Sequence, residues 1–161
     1  VKGTLTYALA LAVALLLFGG CATEVGEGTL ELGTGEWRYE PISDGDDVDL
    51  IRGAQGGVHV WLSVHATGFD PDRVTMEIVT EKLDGSLAPE TSVVDVRLDP
   101  AAEEGAPMYE LLGWPAVLAA PGCVVDSELL VTVTLTDADG TTATDQHVIV
   151  PRGTDMPACE L

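Results

Sequence analysis

The sequence predicts an all-β protein, a single antiparallel sandwich of about seven short strands. Three observations carry that prediction. Apolar residues recur at every second position in several separate stretches, and turn-forming Asp-Gly and Asp-Pro pairs lie between those stretches. Beyond the first twenty residues, no segment sustains a helical period with caps. The predicted domain runs from Trp37 to Arg152 in a chain of 161 residues.

The chain opens on a segment that does not belong to this domain. From Tyr7 to Phe18 every residue is apolar, and Lys2 is the one charged residue before Cys21. A bilayer-spanning helix needs roughly 20 apolar residues, so the run is short for that role. It fits the apolar centre of a secretory signal, with Lys2 as the positive flank. Phe18-Gly19-Gly20-Cys21 then resembles the lipobox of bacterial lipoproteins. That resemblance implies cleavage before Cys21, made possible by the small Gly19 and Gly20, and a diacylglycerol carried on the Cys21 thiol. Acyl chains at about 0.8 kcal/mol per buried CH₂ hold a protein on a membrane without a spanning helix. Ala22, where the family's inner-membrane retention signal has Asp, implies the outer membrane of a Gram-negative bacterium. The other reading is a simple secretory signal followed by an ordinary cysteine.

Residues 21–36 come next, with Gly26, Gly28, Gly33 and Gly35 interleaved with Glu24, Glu27, Glu31 and Glu36. This composition predicts a solvated, flexible tether. Leu30 and Leu32 are compatible with a short strand there, a weaker signal than the composition.

The strands follow. Gly57–Thr67 places Val58, Val60, Leu62, Val64 and Ala66 on one face, with His59, Trp61, Ser63, His65 and Thr67 on the other. In Arg73–Val79 the inward residues are Val74, Met76 and Ile78. Val94, Val96 and Leu98 alternate with Asp95 and Arg97, and Leu129, Val131, Val133 and Leu135 alternate with Leu130 and three threonines. A last strand covers Thr144–Val150. Turns fall at Asp44-Gly45-Asp46, Asp70-Pro71-Asp72, Asp84-Gly85 and Asp137-Ala138-Asp139-Gly140. Single helical turns are expected at Ala101–Glu104 and Tyr109–Leu112. The apolar run Leu111–Leu118, with Trp114 at its centre, is either a connection crossing the core or an exposed patch for a partner.

The stretch Val131–Val150 resembles the last hairpin of bacterial immunoglobulin-like and PKD-type domains, which implies an immunoglobulin-like β-sandwich. Asp44-Gly45-Asp46, followed by Ile51, Gly53, Gln55-Gly56-Gly57 and His59-Val60-Trp61, resembles uncharacterised predicted lipoproteins of myxobacteria. That second resemblance implies export and lipidation and assigns no catalytic residue. With Cys21 taken by lipid, Cys123 and Cys159 remain as an even pair in an oxidising compartment. They are expected to form a disulfide that pins the tail, residues 153–161, to the domain; two free thiols are the alternative.

Charge and motifs narrow the function. Asp and Glu number 27 against 7 Lys and Arg, a formal charge of −20, which disfavours nucleic acid and anionic lipid as direct partners. No GxSxG, HExxH, CxxC, phosphate-loop or dinucleotide fingerprint is present. His59 and His65 lie six residues apart on one strand, about 20 Å at ~3.3 Å per residue, too far to share a metal. A zinc site would have to recruit His147 and carboxylates from other strands. Two oxygen-rich groups, Asp44, Asp46, Asp47 and Asp49, and Asp137, Asp139 and Asp145, have the hard ligands calcium prefers but lack the EF-hand spacing.

No catalytic residue, cofactor or metal ligand is therefore assigned. The expectation is a lipid-anchored envelope lipoprotein whose non-catalytic domain serves adhesion, scaffolding or recognition of a protein or polysaccharide. The alternatives are a small metal-dependent hydrolase and a solute-binding module.

Overall fold

The computed structural model describes residues 28–102 and 107–159. Eleven strand segments occur among them: β1 (Thr29–Thr34), β2 (Glu40–Pro41), β3 (Asp46–Asp49), β4 (Ile51–Arg52), β5 (Val58–Thr67), β6 (Val74–Lys82), β7 (Glu90–Val96), β8 (Asp99–Pro100), β9 (Met108–Val117), β10 (Leu129–Asp137) and β11 (Thr142–Arg152). One short helix, α1 (Pro121–Val124), precedes β10. Seven of the strands reach six residues or more, and the four short segments patch the sheet edges.

The strands form two sheets. One has the order β2-β1-β5-β9-β8, with β4 also on β5; the other is β3-β11-β10-β6-β7. Their inward residues make one apolar cluster, with Leu32, Val60, Leu62 and Val64 from the first sheet against Met76, Ile78, Val131, Val133, Leu135 and Ile149 from the second. The two-residue alternation places these side chains, since every second Cβ of a strand faces the same layer.

Four expectations are corrected. The expected tether over residues 21–36 gives way at Thr29, where β1 begins and pairs with β5 from Thr29↔Thr67 to Gly33↔Ser63. Leu32 is 1% exposed in the core, so its burial overrides the solvated composition around it. The folded domain accordingly starts before Trp37. Second, the sheets are not purely antiparallel: β3 runs parallel to β11, with Asp46 opposite Ile149 and Asp49 opposite Arg152. Third, Tyr109–Leu112 is not a helical turn but part of β9, whose ladder to β5 continues through it. Fourth, the strand count rises from about seven to eleven segments. The other expected helical turn lies outside the described residues at Glu103 and Glu104, as does the whole of residues 1–27, including the apolar run and Cys21. Among the described residues no helix is long and apolar enough to cross a membrane.

Cys123 in α1 and Cys159 in the tail are paired, with Cα atoms 4.5 Å apart.

Two outcomes test this architecture. Leu32→Ala is expected to lower stability by about 2–5 kcal/mol, read from the denaturant midpoint, because it empties a core position. An unchanged midpoint would restore the tether reading. The Cys123–Cys159 bond spans 36 residues, so its reduction is expected to cost about 4 kcal/mol on the chain-entropy account. Thiol titration of the unfolded, unreduced chain should find neither thiol free.

Candidate functional site: a cleft between the sheets

The three histidines occupy separate surroundings. His59, Trp61, Ser63 and His65 share the face of β5 turned away from the core, as their spacing predicts, yet that face is covered. Ser63 Oγ donates to the Gly35 carbonyl at 2.8 Å and accepts from the Gly113 N–H at 3.0 Å. Tyr39 stacks on His65 with ring centres 3.8 Å apart, and His65 Nε2 lies 3.5 Å from Glu110. Burial, with Glu31 and Asp145 nearby, pushes the Tyr39 hydroxyl above its ordinary pKa. At the other end of the strand, His59 meets Trp61 edge-on at 4.3 Å. Its Nε2 is buried without a partner among the described residues, and burial pushes its pKa below the usual 6.5.

His147 sits on the second sheet, with Nδ1 3.3 Å from Asp44 and Nε2 3.6 Å from Asp145. Among the described residues no three His, Cys, Asp or Glu side chains converge as a metal site would require.

The two acidic groups are dispersed into separate structural tasks. Asp44 accepts the Val148 N–H at 3.0 Å, which with His147 holds its pKa below the ordinary value. Asp46 accepts from the Ser43 N–H, and Asp47 pairs with Arg152. Asp145 takes the N–H of Leu32 at 2.8 Å, tying β1 of one sheet to β11 of the other. Asp137, 7% exposed, accepts from the N–H groups of Asp70, Asp139 and Thr141 at 2.8–3.0 Å. It thereby joins the β5–β6 and β10–β11 turns.

Several concavities open among the described residues, and two of them adjoin β7. The larger, about 520 Å³, lies where β6, β7 and β10 meet on the outer face of the second sheet. Its two arginines lie close to acidic neighbours, Arg73 to Asp70 and Arg97 to Asp72 and Asp99, and its walls are otherwise a mixture of Val74, Val96 and Ala138 with short polar side chains.

The smaller, about 300 Å³, lies between the sheets. It exists because β8 covers β9 only at Tyr109 and Glu110, so the far edge of β9 beyond Glu110 has no paired strand among the described residues. Trp114, Pro115 and Val117 of β9 form one wall; Thr80 of β6 and Glu90 and Ser92 of β7 form the other. Glu90 Oε2 accepts the Ala119 N–H at 3.1 Å.

Of these residues, the sequence singled out the segment around Trp114 but not its role. Trp114 is half-buried, packed against the core and facing the cleft, between the two alternatives that its apolar neighbours posed. Thr80, Glu90 and Ser92 were missed. The one available signal was phase: the inward series Val74, Met76, Ile78 continues to Thr80, which puts a hydroxyl where an apolar residue belongs.

The chain matches no protein-family model and no curated protein sequence.

The Asp137 network makes the fold acid-sensitive. Burial opposes its ionisation, but the three backbone donors outweigh it and hold its pKa below the ordinary 3.8. A carboxylate with a depressed folded pKa stabilises above its unfolded pKa and loses that contribution as the pH falls through the folded value. Asp137→Ala is expected to cost about 2–4 kcal/mol at neutral pH. It should also flatten stability against pH below about 4 relative to the unsubstituted chain, measured by thermal unfolding.

Proposed function

We propose that this protein is an exported lipoprotein of the Gram-negative outer membrane, anchored through Cys21, with a non-catalytic immunoglobulin-like domain that recognises a partner in the envelope or beyond it. The observation that carries the reading is strand order. The run β1-β5-β9-β8 corresponds to A-B-E-D of a constant-type immunoglobulin domain, and β11-β10-β6 corresponds to its G-F-C. Such a domain presents turns and edges rather than a preformed reaction centre. The bonding of the acidic side chains agrees with that: Asp44, Asp46, Asp47, Asp137 and Asp145 are each held by backbone or Arg152 contacts instead of converging on a common point.

The lipid anchor rests on the lipobox-like Phe18-Gly19-Gly20-Cys21 and the apolar run before it. An anchored recognition module also suits the charge, since a formal −20 keeps the domain from adhering to anionic head groups or nucleic acid.

Intact-mass analysis of protein recovered from the membranes of a Gram-negative host tests the anchor. The mature chain is expected to begin at Cys21 and to carry the mass of diacylglycerol; Cys21→Ala should leave the chain unlipidated. Cleavage elsewhere, with an unmodified Cys21 thiol, would remove the anchor from the proposal.

A further inference from the structure

We propose that the cleft between β7 and β9 is a subsite for one uncharged pyranose ring of a polysaccharide, an inference that rests on the recognition reading above and names its ligand class. The two walls differ in chemistry. Trp114, Pro115 and Val117 offer an aromatic and aliphatic surface, while Thr80, Ser92 and Glu90, beside Ile78 on the opposite wall, offer two hydroxyls and a carboxylate. A pyranose has the matching pair of surfaces, an apolar C–H face for the indole and a rim of hydroxyls that both donate and accept.

Thr80 adds a hydroxyl to the polar wall. It is only 7% exposed, and its hydroxyl has no hydrogen-bond partner among the described residues, although it borders the cleft. That hydroxyl is not sealed off from the cleft, and a ligand hydroxyl there would take the place of water. Glu90 uses Oε2 on the Ala119 N–H. Its Oε1 has no partner among the described residues and suits a sugar hydroxyl as donor.

The alternatives fit less well. The Glu90 carboxylate, in a chain of net charge −20, repels anionic sugars and phosphates. A peptide strand added to the free edge of β9 would meet Pro115, which has no N–H to give. The volume, about 300 Å³, lies at the small end of ligand sites, in keeping with a single ring.

The test uses the purified full chain titrated with maltotriose, cellotriose and tri-N-acetylchitotriose, followed by calorimetry and tryptophan fluorescence. At least one trisaccharide is expected to bind saturably. Trp114→Ala should weaken that binding at least about tenfold, and Thr80→Val about two- to tenfold without lowering the denaturation midpoint. Trp37→Ala, which removes a side chain 83% exposed outside the cleft, should leave binding unchanged.

The proposal is overturned if none of the three sugars binds saturably, or if Trp114→Ala and Thr80→Val bind as the unsubstituted chain does. It is also overturned if an extended peptide of alternating Val and Thr binds while no trisaccharide does. The mass of the anchor and this titration vary independently, so failure of either leaves the other standing.

Discussion

Strand β5 is buried on both faces, and much of the molecule is arranged to meet that constraint. Its core face, Val58 to Ala66, packs on the second sheet as any inner strand does. Its other face carries Ser63 and His59, each less than a tenth exposed, and among the described residues no third sheet covers that side. The cover comes from chain that would otherwise be a loop. The segment after β1 folds back so that the Gly35 carbonyl meets Ser63 and the Tyr39 ring meets His65.

That return needs room in β9, which Gly113 supplies. The β5–β9 register shifts between Leu62 and Val64, and Gly113 adopts a positive φ of 61° at the shift. A side chain on Gly113 would collide with the Glu36 carbonyl. One bulge thus serves both the sheet and its cover.

The fold was legible in sequence where burial has one side. Alternation in β6 and β10 is regular because one face of each meets the core and the other is more exposed, and β5 alternates too because polar and aromatic residues fill its second, covered face. It failed where two signals competed. In β1, four glutamates and four glycines spread from Glu24 to Glu36 outweighed Leu30 and Leu32, yet Leu32 fills the core. In β9, the run from Leu111 to Leu118 is too continuously apolar to show a period, and a bulge at Gly113 breaks what period there is. The parallel pairing of β3 with β11 joins residues a hundred positions apart and leaves no local mark. The candidate site was legible only by half for the same reason. Trp114 stood out by type, whereas Thr80, Glu90 and Ser92 gain meaning only when the uncovered edge of β9 is set opposite them.

The start of β1 at Thr29 has a mechanical consequence. Under the proposed anchor at Cys21, residues 22–28 could span at most roughly 24 Å between the lipid and β1. Gly28 lies against Phe69, beside the turns that Asp137 ties together, so that pole is the one the proposed anchor would hold near the bilayer. The opposite pole, with α1 and the disulfide-bound tail, points away from it. A protein anchored in that way could not sweep a wide volume. It would stand like a short bracket, presenting its flanks and far end to whatever lies one domain's height above the membrane.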